Sequence, residues 1–247
     1  MNLGLEGRTA IVCGASAGMG LAIAEGLAGE GANVAMFARR RDVLEREAER
    51  IGALSVRGDL TVPADLEKLV DRTVKAFGGV DVLVNNGGGP GRGIAIGLDP
   101  AAVETAVELL LLPVVRLTNL CLPYLEQSGR GRVVNIESSS VREPLDGLVL
   151  SNTVRPAVIG WAKTFAREVA GKGITVNTIA PGRIDTERLA EGFSDETARE
   201  EAAAQVPARR FGSPAEIANV VCFLASDQAS YVTGAVVPVD GGLGMGH

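Results

Sequence analysis

The sequence has 247 residues, of which 46% are hydrophobic and 22% charged, and a net charge of −6. That composition excludes a disordered or low-complexity chain, and an acidic balance with no basic stripe excludes nucleic acid and anionic membrane surfaces as natural partners. No apolar run reaches the ~18 residues needed to span a bilayer, and no basic stretch followed by an apolar run opens the chain. Cys13, Cys121 and Cys222 lie far apart and cannot all pair, which fits a reducing, cytoplasmic setting. The single histidine is His247 and the two tyrosines are Tyr124 and Tyr231. This leaves no nitrogen/sulfur metal site and no serine–histidine triad.

Along the chain, short β-branched runs alternate with helical patterns. Strands are expected over 8–13, 33–37, 54–57, 80–84, 132–136, 175–179 and 236–239. Apolar spacing at i, i+3, i+4 marks helices over 19–27, 66–77 and 217–224. Alternation of this kind predicts one α/β domain over 1–247: a parallel sheet covered by helices on both faces. The polar, helix-patterned stretch 183–211 is a candidate lid over a site at the strand ends.

The first strand runs directly into Gly14, Gly18 and Gly20 and then a helix. Glycine permits a sharp turn and close backbone approach to a phosphate, and the helix N-terminus offers free N–H groups and a positive dipole. Ser16 could add a hydroxyl to such a loop. Asp59 and Leu60 follow strand three; Asn85, Asn86, Gly87 and Gly88 follow strand four; Pro181, Gly182, Ile184 and Thr186 follow strand six; and Val239 to Gly242 close the last strand. In this order the motifs resemble the short-chain dehydrogenase/reductase family. The resemblance implies a single-domain Rossmann fold, a doubly wound seven-stranded parallel sheet and a nicotinamide cofactor. It also implies cofactor contacts at Gly14, Ser16, Gly18, Met19, Gly20, Asp59, Leu60, Asn86, Gly88, Pro181, Gly182, Ile184 and Thr186. At the end of strand two, where an acid would favour NAD(H), stand Ala38 and Arg39; arginine suits a 2′-phosphate, so NADP(H) is expected over NAD(H).

The family's chemistry uses a serine, a tyrosine and, four residues later, a lysine, with an asparagine on the preceding helix. Aligned on the segment 157–160, the serine is Ser138, but the tyrosine position holds Ser151 and the lysine position Arg155. The asparagine position falls on Leu110. Tyr124 and Tyr231 belong to the wrong end of the sheet. Ser138, Ser151 and Arg155 are therefore the candidate catalytic residues, with Arg155 also a cation for the nicotinamide ribose. A free tyrosine titrates near about 10, whereas an aliphatic serine is a far weaker acid. Three readings stay open: an oxidoreductase acting on a small carbonyl, alcohol or oxoacyl thioester with another proton donor; a non-redox enzyme on this scaffold; and an NADP(H)-binding sensor or partner subunit. Glu143 and Asp146 could supply a carboxyl, although two exposed loop carboxylates is the simpler account. Pro113 should kink its helix, and Pro156 should disturb the start of the helix after Ser151. Helices over 101–125 and 158–169 carry more apolar surface than one sheet face needs, as at Leu109 to Leu112, Trp161 and Phe165, unless all of it packs in the core. The family resemblance implies a homotetramer, or at least a homodimer, built on these two helices and the last strand.

Overall fold

The structure, a computed structural model, describes residues 2–245, so His247 lies outside the described residues. Seven strands form one all-parallel sheet in the order β3-β2-β1-β4-β5-β6-β7. They are β1 (Thr9–Cys13), β2 (Asn33–Ala38), β3 (Leu54–Arg57), β4 (Val82–Asn86), β5 (Arg132–Ile136), β6 (Thr175–Pro181) and β7 (Val236–Val239). Nine helices connect them among the described residues: α1 (Gly18–Gly29), α2 (Arg41–Ile51), α3 (Pro63–Phe77), α4 (Pro100–Leu110), α5 (Leu112–Ser128), α6 (Val149–Val169), α7 (Glu187–Ala190), α8 (Glu196–Gln205) and α9 (Pro214–Ala225).

The strands face both ways into apolar layers. On β1, Ala10 and Val12 join the layer formed with α1, α2 and α9, while Ile11 and Cys13 join the layer formed with α3, α5 and α6. This period-two division between two buried faces is what a doubly wound sheet requires. The strand order reverses between β1 and β4, and the loops leaving the C-terminal ends there and at β5 and β6 form the site.

Several boundaries differ from the sequence expectation for local reasons. β1 begins one residue late because the Arg8 N–H donates to the Leu5 carbonyl (3.1 Å) in the preceding turn, while its buried guanidinium donates to the Ala225 carbonyl (2.8 Å) and Asp227. β4 begins at Val82, not 80, because the Asp81 carboxylate accepts the Thr9 N–H (2.8 Å) in the turn before it. The helices extend beyond their apolar stripes, and at α9 a polar cap holds the added residues. Ser213 and Glu216 form a reciprocal capping box at α9, with Pro214 in its first turn. Pro113 does more than kink: α4 ends at Leu110 and α5 restarts with Pro113 in its first turn. Pro156 lies in the interior of α6, which continues through it.

An 18-residue window within Pro100–Ser128 has a mean hydropathy of 1.6 and would pass as a bilayer span by length and composition, although no unbroken apolar run in it reaches that length. Its inner face packs against the sheet instead, with Leu117, Cys121 and Leu125 fully buried. The surplus apolar surface expected on α4 to α6 is also smaller than the sequence suggested: Leu110 and Phe165 are buried within the chain, and Trp161 stacks on Phe165 at 5.1 Å.

Candidate active site

The β1–α1 turn is shaped by its glycines. Gly14 and Gly18 have φ of +60° and +54°, a region that side chains disfavour. A Cβ on Gly20 would overlap the Gly14 carbonyl and the Asn86 side chain, so the helix enters as close to the strand as backbone allows. The Asn86 Nδ2 donates to the Cys13 carbonyl (3.1 Å), tying the β4 end to this turn. No side chain caps the N-terminus of α1, where Ala17 stands, so its first N–H groups point outward without a protein acceptor from the cap. Ser16 is buried in the same turn, and Gly18 lies against the Thr186 side chain. This cradle fits a dinucleotide pyrophosphate.

At the outer end, Arg39 is 80% exposed and its Nη1 lies 4.0 Å from Asp59 Oδ2. The Thr61 backbone N–H and hydroxyl, with Arg39, hold the Asp59 carboxyl below its usual pKa. Leu60 borders a small cavity beside it. At the inner end, Pro181 closes β6, Gly182 abuts Asp240, and Ile184 is buried and bridged to Gly212. Thr186 caps α7 by accepting the Leu189 N–H (3.2 Å). These inner residues share a cleft of about 450 Å³ with Met19, Asn86, Gly88, Ser138, Ser151 and Arg155.

The serine–arginine positions form a continuous hydrogen-bonded chain. Ser138 Oγ accepts the Ser140 N–H (3.1 Å), which leaves its own hydroxyl hydrogen free. Ser140 Oγ and Ser151 Oγ are 2.9 Å apart. Arg155 donates from Nε to Ser151 Oγ (3.1 Å), from Nη1 to Glu137 Oε2 (2.9 Å) and from Nη2 to the Gly88 carbonyl (3.0 Å). Glu137 is the member that sequence reasoning passed over. Burial pushes its carboxyl up to about 7, against the opposing pull of Arg155. A signal was present: an acid directly after a wholly buried strand must find a partner. Arg188 was also overlooked, and its guanidinium lies against Gly89 at the cleft mouth.

The other candidates lie elsewhere. Tyr124 is packed on α5 against the sheet, and Tyr231 is fully exposed. Leu110 is buried beside a small cavity that Glu137 and Arg155 also line. Neither Asp146 nor Glu143 lines the cleft; Asp146 is exposed, whereas Glu143 is half-buried, against the expectation of two exposed carboxylates, and accepts from the Met245 N–H (3.4 Å).

Known proteins share this fold and much of this sequence. The family described as enoyl-(acyl carrier protein) reductase matches residues 14–244. The chain belongs to the short-chain dehydrogenase/reductase family. It is 37% identical to the 3-oxoacyl-[acyl-carrier-protein] reductase of Vibrio cholerae over 245 residues, covering 98% of this chain and all of that protein. The corresponding reductase of Escherichia coli K12 is likewise 37% identical over 245 residues, with the same shares of each chain covered. Among solved structures, L-sorbose reductase from Gluconobacter frateurii, complexed with NADPH and L-sorbose, superposes with a TM-score of 0.93 at 32% identity, covering 100% of both chains. YwfH, an NADPH-dependent reductase involved in bacilysin biosynthesis, superposes with a TM-score of 0.94 at 27% identity, covering 97% of this chain and 99% of the other.

Proposed function

We propose that this chain is an NADP(H)-dependent oxidoreductase that reduces a carbonyl group using Ser138, Ser151, Arg155 and Glu137 in place of a tyrosine–lysine pair. The observation that carries it is the Ser151–Arg155–Glu137 chain, which ends on an acid poised to titrate near neutrality in the same cleft as the nicotinamide-side residues. The glycine turn, the open N-terminus of α1 and Arg39 would hold the cofactor, with Arg39 on the 2′-phosphate. NADPH, when bound, would supply a hydride to the carbonyl carbon, leaving the charge on the carbonyl oxygen.

The chain's own groups manage the charge and the proton. Ser151 Oγ receives the Arg155 Nε–H and can receive the Ser140 hydroxyl, which turns its own O–H toward the cleft. Ser138 offers a second hydroxyl to the same oxygen. Two preorganised donors backed by a fixed guanidinium stabilise a developing alkoxide. Because a guanidinium does not relay protons, the balancing proton passes from the Glu137 carboxyl to the alkoxide oxygen across the cleft that Glu137 lines with Ser138 and Ser151. The Glu137 O–H breaks as the alcohol O–H forms, and the resulting carboxylate pairs with Arg155 and is reprotonated from solvent. The segment 183–211 acts as the lid. It carries α7 and α8, is closed at its base by the Ile184–Gly212 bridge, and has Phe193 stacked on Phe211 at 5.7 Å.

The test is loss of NADPH absorbance over a panel of small ketones, keto acids and oxoacyl thioesters, repeated with NADH. Turnover with NADPH, and a lower KM for NADPH than for NADH, is the expected result. Tight NADPH binding with no turnover on any carbonyl would replace this reading with that of a cofactor-binding sensor. The substrate could be an oxoacyl thioester, as the relatives' names suggest, or a smaller carbonyl.

A further inference from the structure

Two arginines at the mouth of the cleft are unused by the reading above. Arg188, on α7, crosses to the β4 loop, where a Cβ on Gly89 would overlap its guanidinium. Arg92, on that loop, reaches back toward the lid, with its Nη2 3.4 Å from where a Cβ on Gly192 would stand. Each segment thus sends one guanidinium to the other across the cleft opening. Among the described residues neither arginine has a hydrogen bond or ion pair, in contrast to Arg199 on the same lid, which pairs with Asp185 at 2.9 Å. The charged groups lining the cleft are Arg92, Arg155 and Arg188 against Glu137 and Glu191, and Arg155 is already matched by Glu137. Burial and Arg155, with Arg92 adding, press the Arg188 guanidinium below its ordinary pKa, and only Glu191 opposes them. With one glutamate against two arginines, a chain of net charge −6 therefore keeps a net cationic rim on this opening.

We infer that Arg188 and Arg92 form a subsite for a carboxylate, and that the substrate is a carbonyl compound carrying that carboxylate: an oxo acid rather than a neutral acyl chain. Guanidinium forks match carboxylates with paired, charge-assisted hydrogen bonds, and Arg188 and Arg92 approach the opening from opposite sides. The inference rests on the proposed function only for the identity of the carbonyl; the anion site stands on the arginines themselves. The same charge could instead meet the cofactor's pyrophosphate, and the experiment separates the two sources.

The intact protein, saturated with NADP⁺, is titrated calorimetrically with pyruvate, acetoacetate and levulinate, and with their methyl esters. The expected result is that at least one acid binds about tenfold to a hundredfold more tightly than its ester, the range for a hydrogen bond to a charged group. Arg188→Gln combined with Arg92→Gln should abolish that difference and leave the NADP⁺ dissociation constant unchanged. Acids that bind no better than esters to the intact protein overturn the inference without any variant. A variant that loses NADP⁺ affinity while keeping the acid-to-ester ratio overturns it too, assigning the arginines to the cofactor. Because binding is read without turnover, tight oxo acid binding with no reduction would sink the reductase reading and leave the subsite standing.

Discussion

Arg155 is gripped on three sides, by Ser151, Glu137 and Gly88, and both it and Glu137 are almost wholly buried. Ionised, Glu137 offsets the buried Arg155 charge, and protonated it still accepts the Arg155 Nη1–H, so in either state the pair fixes one geometry for this corner of the cleft. Ser151 is part of that grip. Ser151→Ala would leave the Arg155 Nε–H and the Ser140 hydroxyl without their buried partner. The expected cost is about 1–3 kcal/mol of stability, measurable by urea denaturation. A change below about 0.5 kcal/mol would mean that the serine is incidental to the network. The sequence made the serine and arginine positions legible because they occupy a spacing that can be counted. It did not expose Glu137, whose role depends on which strand ends converge, nor Arg188, whose reach to Gly89 is a matter of tertiary path.

At the scale of elements, the β1–α1 turn was the most legible part of the chain. Its glycines are needed for backbone reasons that spacing alone conveys: two have positive φ, and Gly20 sits where any side chain would strike Gly14 and Asn86. Gly20→Ala should therefore force α1 away from β4. Equilibrium dialysis should show NADP⁺ affinity reduced by at least about tenfold, a loss equivalent to ~1.4 kcal/mol of binding. Unchanged affinity would show that the loop gives without consequence. Element boundaries were read less well, because polar groups set them: Asp81 delays β4, and the Ser213–Glu216 box lengthens α9. The break at Leu111 was foreseeable from Pro113, but its completeness was not, since a proline can either bend a helix or begin a new one.

For the whole molecule, the alternation of strands and helices fixed the parallel, two-faced sheet before any contact was known. The assembly is less directly written. β7 is an edge strand and carries Pro238, which its edge position tolerates because the outer side of an edge strand donates to no ladder. We expect a homotetramer or homodimer using that edge and the α4 to α6 surface, and a monomer by light scattering at micromolar concentration would refute it. The central claim concerns the proton, and the pH dependence of reduction tests it most directly. If the Glu137 carboxyl donates, only its protonated form is competent, so kcat should hold below pH 7 and fall as pH rises past about 7. Glu137→Gln should lower kcat by roughly 10² to 10⁴ and flatten that fall. Unaltered kcat in the variant, with the same decline at alkaline pH, would contradict the account.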